Sequence, residues 1–507
     1  MASTMTLPPS QAEYDWCFWT ILTALSFTSI LAGLEIGCIA TAMPTIVKDL
    51  GDNINNHTVY VWVANAYFLT MTAFQPLYGQ ASNIFALSGA AINMTMLIAG
   101  RAVMGVGGGG IMVMVEIITC DLCTLRDRPN YLAIVLSLFG IAMCVGPLIG
   151  GALAEHVNWR WIFYINLPIA GVALVPLVLF LRVKYQRDAI GKMLMRVDWG
   201  GNALFAASVT SILLALTWGG TQHPWSAWQT LLPLILRVMG LVEFLGVEST
   251  NLIEKPTMPI RLFSNRTFLG AFGLTYVASI LTYWMAFWLP VYFQAVRERS
   301  PTESGIDSLP FSMIMIPFSI LAGGGVTKTG RYFPFQLVGI SLITIAMGLF
   351  SLPDIDSSKG KWVRFQVVAA TTRGILLTCA LPAVQAPLPE TDTAIATSTW
   401  AFLRSFGGMI AVPTAIFNSH VNSLLGLGRV DDGSVSDTMR NGGAYALASM
   451  QSLPLELKLE VKRVYVDSLR LIWQVGVGLG VVGFLITLFI EEVKLRGGFG
   501  DWFWACS

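Results

Sequence analysis

Uncharged apolar runs of roughly 20 residues recur from one end of this 507-residue chain to the other. A helix of that length crosses the ~30 Å hydrocarbon layer of a bilayer, so each run predicts a membrane span. The runs are continuous rather than alternating, which favours helices over the strands of a membrane barrel. The sequence predicts thirteen spans, at 17–43, 59–80, 102–120, 131–153, 161–181, 199–218, 228–247, 268–293, 309–326, 334–352, 364–388, 398–418 and 471–490.

Composition also indicates an all-α polytopic membrane protein. Hydrophobic residues make up 54% of the chain and charged residues 12%, whereas soluble chains carry about 25% charged residues. The formal net charge of +1 offers no basic surface for a nucleic-acid partner. Because no basic region precedes the first apolar run, we expect no removable signal peptide.

The residue types that enzymes and metal sites need are few and dispersed. Seven cysteines are scattered along the chain, and Cys120 and Cys123 form a single C-x-x-C pair without a nearby histidine. Neither a disulfide framework nor a metal site is therefore predicted. The sequence contains no nucleophile elbow, H-E-x-x-H element or nucleotide-binding loop. We expect no enzymatic activity and no cofactor, and any energy source must be an ion gradient.

Basic residues in the loops predict the orientation of the chain. Five of them lie between positions 182 and 196, three more precede residue 268, and Lys328 and Arg331 follow a later span. Short basic loops remain in the cytoplasm, so these three loops are predicted to lie inside. The long loop at 419–470 is then outside, and its segment 452–471 is predicted to form an amphipathic helix.

Glycosylation sequons give a second indication of orientation. Asn56 begins an Asn-His-Thr sequon in a loop without Lys or Arg, which suits an outside loop and predicts glycosylation of Asn56. The sequon at Asn93 lies too close to the bilayer, and the one at Asn265 falls in a predicted inside loop. Asn56 is thus the only sequon that we expect to be used.

The stretch from 77 to 102 does not fit this topology. Six spans before the basic loop at 182–196 would place both that loop and Asn56 on their predicted sides, but only five are clear. Residues 81–100 would have to form the sixth span while leaving no residues for loops at either end. Either a compressed helix crosses there, or a helix of about 20 residues is missing after Phe85. We favour the missing helix, lost through an intron assignment or a real deletion.

Glu35 lies within the first predicted span, nine residues before Pro44 and about 13 Å deeper along a helix. An ionisable residue at that depth usually faces a wet cavity or a partner, although a carboxylate close to the interface can also snorkel. Protonation removes the cost of burying its charge. Glu35 is therefore a candidate for exchanging a proton during transport.

Arg101 and Glu116 belong to the next clear span and are 15 residues apart, roughly 22 Å along a helix. Each therefore needs a different partner. The glycine run at 107–110 lacks the Lys-Ser/Thr of a phosphate-binding loop. Gly105 and Gly109 instead have the G-x-x-x-G spacing that predicts close packing against another membrane helix.

The span at 131–153 contains Gly146, Pro147, Gly150 and Gly151. Proline frees a backbone carbonyl and kinks a helix, while glycines let a neighbouring helix approach closely. By themselves these residues are compatible with a hinge and equally with static packing.

Segments throughout the chain resemble the major facilitator superfamily, specifically its fungal fourteen-span drug:proton antiporters, the group that contains mycotoxin efflux pumps. The resemblance covers nearly the whole chain. The matching segments are WVANAYFLTMTAFQPLYGQ, LIAGRAVMGVGGGG, GPLIGGALAEHVNWRWIFYINLPIAG, NALFAASVTSILLALTWGGTQ, LPVYFQAV and TWAFLRSFGG.

The resemblance implies a fold of two six-helix halves with two inserted spans between them. The halves would be residues 1–183 and 268–507, and residues 184–267 would form a linker that carries the inserted spans. Substrate would bind near the membrane midplane, between halves that rock in alternating access.

The resemblance also implies roles for individual residues. The Gly-Pro-x-x-Gly-Gly element at 146–151 matches the antiporter motif of the fifth helix, which distinguishes exporters from importers. Arg101 matches a fourth-helix arginine that the family links to proton coupling, and Glu35 matches the acidic position of the first-helix motif. Together with Glu116, they are the candidate residues for proton coupling and transport.

The family's G-x-x-x-D-R-x-G-R-R loop, which follows the second helix, is incomplete in this chain. Gly79 fits the pattern, but Asn83 occupies the acidic position and the basic positions are lost. The second half of the chain contains a better copy of this gating loop, with Lys328, Gly330 and Arg331 at the matching positions. We therefore expect a truncated third helix and impaired gating if the chain is expressed as written.

These observations predict proton-coupled efflux of a small organic compound, such as a fungal secondary metabolite or toxin. The alternatives are a proton-independent facilitator, a transporter-like receptor, and a transporter impaired by the truncated helix. The expected partners are the substrate, protons and the lipid bilayer, and we expect a monomer. The plasma membrane is the expected location, with a vacuolar or vesicle membrane as the alternative.

Overall fold

The structure, a computed structural model, is helical throughout the part of the chain that it describes, and that part contains no strand. Ten stretches in it are long and apolar enough to cross a membrane. The prediction of an all-α polytopic membrane protein is therefore confirmed. The described residues are 16–50, 63, 66, 67, 70, 71, 93–180, 199–218, 226–248, 263–389, 392–407, 411–430, 432, 433, 435, 436, 439, 454–493 and 495.

The N-terminal half, up to residue 180, contains five described helices, and an inserted pair of helices follows it. The helices of the N-terminal half are α1 (Trp16–Leu50), α2 (Met94–Leu122), α3 (Arg128–His156), α4 (Trp161–Tyr164) and α5 (Asn166–Phe180). The inserted helices are α6 (Trp199–Trp218) and α7 (Trp228–Glu248).

The C-terminal half, from residue 263 onwards, contains nine described α-helices. They are α8 (Arg266–Val291, extended by a π-helical turn at Tyr292–Val296), α9 (Pro301–Asp307), α10 (Leu309–Met313), α11 (Met315–Thr329), α12 (Phe333–Phe350), α13 (Lys359–Gln385), α14 (Thr393–Gly407), α15 (Ala411–Gly426) and α16 (Leu455–Leu488).

Helix α2 begins earlier than the hydropathy of the sequence predicts. Asn93 is its N-cap, and the Asn93 side chain accepts a hydrogen bond from the backbone N–H of Met96 at 2.7 Å. Residues 94–100 therefore belong to α2. A separate compressed helix over the whole of 81–100 is excluded, and residues 81–92 lie outside the described part of the chain.

Glycines allow α2 to pack closely against the described residues of the second predicted span. A Cβ on Gly105 would lie 2.2 Å from the carbonyl oxygen of Tyr67, and one on Gly109 would lie 2.3 Å from that of Met71. No side chain fits at such distances. The glycine-rich stretch is thus a helix-packing surface, as its spacing predicts.

The inserted helices α6 and α7 pack against each other and against the C-terminal half. Phe205 of α6 lies 5.3 Å from Phe244 of α7 and 4.9 Å from Phe402 of α14, measured between ring centroids. Aromatic pairs at these separations add to the apolar burial that holds helices together. The inserted pair is therefore anchored on helices α14 and α15.

The amphipathic helix predicted at 452–471 is not a separate element. Helix α16 begins at Leu455 and continues without a break to Leu488. Its first turns are held by Glu298, which accepts a hydrogen bond from Lys458 at 2.6 Å and forms an ion pair with Lys462. Hydrogen bonds from these two lysines hold the pKa of Glu298 below its usual range.

The two halves touch near both ends of α3. At one end, Gly323 of α11 approaches Pro129 so closely that a Cβ there would lie 2.8 Å from the proline carbonyl oxygen. At the other end, a Cβ on Gly151 would lie 3.1 Å from the hydroxyl oxygen of Thr302. Within the described helices, the interface between the halves is therefore closed at both ends of this helix.

Candidate functional site

A buried charge network lies between α1 and α2 in the N-terminal half. Arg101 of α2 donates from Nη1 to Oε1 of Glu35 on α1. Both side chains are only 2% exposed, so this ion pair is removed from bulk solvent. The structure thus brings together two of the three residues that the sequence nominates for proton coupling.

Other groups complete this network and fix its geometry. Asn166, the first residue of α5, donates from Nδ2 to Oε2 of Glu35 at 2.7 Å. Arg101 also donates from Nε to the Val63 carbonyl oxygen at 3.2 Å, and its guanidinium carbon lies 4.3 Å from the centre of the Tyr67 ring. Both oxygens of the Glu35 carboxylate therefore have a donor, which offsets the cost of burying its charge.

Glu116 does not join this network. It lies near the other end of α2, is fully buried, and forms an ion pair with Nη2 of Arg404 on α14 at 2.5 Å. The Arg404 guanidinium carbon lies 4.5 Å from the centre of the Trp400 ring. As their separation along α2 requires, Arg101 and Glu116 have different partners, and the partner of Glu116 belongs to the other half of the chain.

Residues of the antiporter-like element at 146–151 contact two different helices that neighbour α3. Gly146 and Gly150 face α1: a Cβ on Gly150 would lie 2.3 Å from the Cys38 carbonyl oxygen, and one on Gly146 would lie 2.8 Å from the Gly37 Cα. Pro147 and Gly151 face α9 of the C-terminal half, because a Cβ on Gly305 would contact Pro147 and one on Gly151 would contact Thr302. The element therefore packs one face of α3 within its own half and another face across the interface.

The better copy of the gating loop lies at the end of α11. Gly330 caps this helix with a positive φ of 68°, a conformation that favours glycine. Arg331 forms an ion pair with Glu492 at 3.1 Å, and the Lys328 carbonyl oxygen accepts a hydrogen bond from Arg126 at 3.3 Å. This loop therefore connects the segment that follows α16 with the loop between α2 and α3.

Three nominated residues, Gly79, Asn83 and Asn56, lie outside the described part of the chain. The gating role of Gly79 and Asn83 and the glycosylation of Asn56 remain predictions. Among the described residues, no group of three or more His, Cys, Asp or Glu side chains is placed to hold a metal ion.

A small cavity lies within the C-terminal half, away from these ion pairs. Its volume is about 20 Å³, which is room for one water molecule and too little for an organic substrate. The residues that line it include Tyr292, Phe350, Trp362, Arg470 and Trp473.

Sequence reasoning did not single out two residues of these networks, Asn166 and Arg404. Both are polar residues in apolar helices, and this was the one signal available to find them. Asn166 lies 131 positions from Glu35 along the chain, so no local pattern indicates the contact. Arg404 can be matched with Glu116 only when α14 is placed beside α2.

The chain matches the family model described as Major Facilitator Superfamily over residues 25–412. It is 43% identical to the MFS-type efflux pump LUC4 of Fusarium sp over 504 residues, covering 94% of this chain and 88% of that protein. It is also 42% identical to the Acurin A biosynthesis cluster MFS-type transporter of Aspergillus aculeatus, covering 94% of this chain and 90% of that protein.

A third relative gives information about length. The efflux pump FUS6 of Gibberella fujikuroi is 42% identical over 513 aligned positions, covering 96% of this chain and 91% of that protein. Since 96% of 507 residues is about 487, fewer than the 513 aligned positions, the alignment contains gaps in this chain.

Solved structures with the same overall fold are transporters of distant sequence. The human organic anion transporter MFSD10 aligns with a TM-score of 0.55 at 14% identity, covering 95% of this chain and 100% of that one. The peptide transporter POT in complex with sulfate gives a TM-score of 0.57 at 14% identity, covering 94% and 96%. These structures show the same fold, and the family model and the relatives at 42–43% identity show that the chain belongs to the major facilitator superfamily.

Proposed function

We propose that this protein exports a small organic compound, a fungal secondary metabolite, in exchange for protons. The observation that carries the proposal is the buried Glu35–Arg101 pair with Asn166 as its third member. Intramembrane ionisable residues are costly and are retained where a transport cycle uses them. The names of the relatives, efflux pumps and a transporter of a biosynthesis cluster, support export as the direction and a biosynthetic product as the substrate.

The geometry of this pair supports a mechanism for coupling. While Glu35 is ionised, its carboxylate holds Arg101 of α2 and Asn166 of α5 against α1. Protonation of Glu35 removes the charge that Arg101 compensates, so the guanidinium must find another acceptor. Proton binding would thereby change the contacts among three helices, which is what coupling to alternating access requires.

The location that we propose for this export is the plasma membrane. The test of export compares the wild-type protein with the variant Glu35→Gln. Glu35→Gln keeps the shape of the side chain and removes its ability to titrate. We expect this variant to reach the membrane at normal levels and to lose protonophore-sensitive export. The measurement is the ratio of extracellular to intracellular metabolite, by mass spectrometry, in a producing fungus that lacks its own copy.

Glu155→Gln is the matched control, because Glu155 is an exposed glutamate at the end of α3 and should export normally. Unchanged, protonophore-sensitive export by Glu35→Gln would remove Glu35 from the mechanism. Wild-type export that is insensitive to protonophore would favour a facilitator. Wild-type protein that reaches the membrane without exporting anything would favour the receptor or the impaired transporter.

A further inference from the structure

The two buried ion pairs differ in their relation to the two halves of the chain. Glu35 and Arg101 both belong to the N-terminal half, on α1 and α2. Glu116 belongs to α2, but Arg404 belongs to α14 of the C-terminal half. A motion of one half relative to the other therefore leaves the first pair intact and changes the second.

The Glu116–Arg404 pair has few other partners. Apart from the contact with Arg404, neither carboxylate oxygen of Glu116 has a partner among the described residues, and Nη1 of Arg404 is unpartnered there as well. By contrast, both oxygens of Glu35 accept a hydrogen bond. The charge of Glu116 is thus compensated mainly by a group across the interface, and it has no second donor that would hold it in place.

Further polar contacts continue across the same interface, one turn beyond Glu116. Gln385 of α13 donates from Nε2 to Sγ of Cys120 at 3.4 Å and to the Thr397 hydroxyl at 2.7 Å. Its Oε1 accepts a hydrogen bond from Arg128 of α3 at 2.8 Å. Cys120 is 1% exposed, so the closed interface shields its thiol.

We propose that Glu116 and Arg404 form a latch that closes this end of the interface and separates once in each transport cycle. The proposal rests on alternating access, in which rigid halves keep their internal contacts and exchange the contacts between them. This end carries the Lys328 and Arg331 loop, so it is the predicted cytoplasmic end. Cys120 and Gln385 lie about one turn from the latch, on its cytoplasmic side.

The energetics of a buried pair explain why such a latch can switch between two states. Separating Glu116 from Arg404 while both stay dry would leave two uncompensated charges, which is strongly unfavourable. When the interface opens, water can reach both groups and replace their mutual contact. The ion pair is therefore favourable when the cytoplasmic end of the interface is closed and dry. Separated charges are favourable when that end is open to water, and a partly open, dry interface is unfavourable.

Native cysteines provide the test. Cys120 lies in the same contact between the halves, one turn to the cytoplasmic side of the latch, whereas Cys379 is fully buried inside the C-terminal half on α13. The experiment measures the rate at which N-ethylmaleimide alkylates each cysteine in membranes, by peptide mass spectrometry. We expect Arg404→Gln and the double variant Glu116→Gln/Arg404→Gln to raise the Cys120 rate about tenfold and leave the Cys379 rate unchanged. The double variant matters because it leaves no unpaired buried charge that could prevent folding.

A charge swap completes the design. Glu116→Arg combined with Arg404→Glu restores an ion pair of opposite polarity and should return Cys120 towards its wild-type protection. An unchanged Cys120 rate in both neutralised variants would overturn the latch. A parallel rise at Cys379 would also overturn it, because it would show general loss of packing. Neither rate depends on export, so the proposed function and the latch can fail separately.

Discussion

At the scale of single residues, the sequence predicted some members of the network around Glu35 and not others. Glu35 and Arg101 could be nominated because a charge within an apolar run is conspicuous. Asn166 was harder to nominate, because a neutral amide is less conspicuous in an apolar run than a charge and its contact with Glu35 spans 131 positions. Its position at the start of α5 nevertheless makes it the residue that connects this helix to the ion pair.

We expect Asn166→Leu to reduce export strongly, because it removes a donor to a buried carboxylate, a loss of about 1–3 kcal/mol. Asn158→Leu is the matched control, since Asn158 is an exposed asparagine in the turn after α3. Export is measured as for Glu35→Gln, with membrane levels determined by immunoblotting. Wild-type export by Asn166→Leu would exclude this residue from the network's function.

At the scale of helices, hydropathy predicted the existence of the described spans but not where helices begin or what they face. It could not show that α2 starts at Met94, because the cap is a single asparagine side chain. It could not show that α16 continues through its amphipathic segment into its apolar one. The glycine spacing did predict close packing, but the division of 146–151 between α1 and α9 depends on the arrangement of three helices.

The close approach of α3 to α1 gives a prediction about Gly150. A Cβ at this position meets backbone atoms that cannot rotate away, so Gly150→Ala should cost about 1–3 kcal/mol through overpacking. We expect a lower thermal unfolding midpoint in detergent for this variant. Gly171→Ala on α5 is the control: nothing lies within 4 Å of its added Cβ, so its midpoint should stay the same or rise. Equal midpoints for the two variants would contradict the packing described for α3.

At the scale of the whole molecule, family and fold followed from the sequence, whereas the contacts between the halves did not. Apolar runs and motifs sufficed for an all-helical transporter of this superfamily. The Glu116–Arg404 pair joins residues that are 288 positions apart, and no rule of spacing connects them. Such contacts are set by the packing of two bundles, which a linear pattern does not specify.

The length of the N-terminal half supports our proposal that its third helix is missing from this chain. Because residues 94–100 belong to α2, only 81–92 remain for that helix, and twelve residues extend about 18 Å as a helix. A span needs about 20 residues, so these twelve fall short of a complete one. Either an intron assignment or a real deletion would explain the difference.

Sequencing the transcript tests this proposal. We expect the message to encode about 20 additional residues near Phe85, and the restored chain to export better than the 507-residue chain when both are expressed at equal membrane levels. The contradictory result is a message that encodes these 507 residues and whose product exports at the plasma membrane.

The length of helix α16 affects how far its N-terminal end would move during transport. Its 34 residues extend about 51 Å, considerably more than the ~30 Å of hydrocarbon that one span must cross. The helix is therefore longer than one span needs, and its first turns are held to the C-terminal half by the contacts of Lys458 and Lys462 with Glu298. In the transport cycle that we propose, a tilt of that half in the bilayer would displace the end of the helix at Leu455 more than it displaces the part near the membrane midplane, because displacement grows with distance from the axis of rotation.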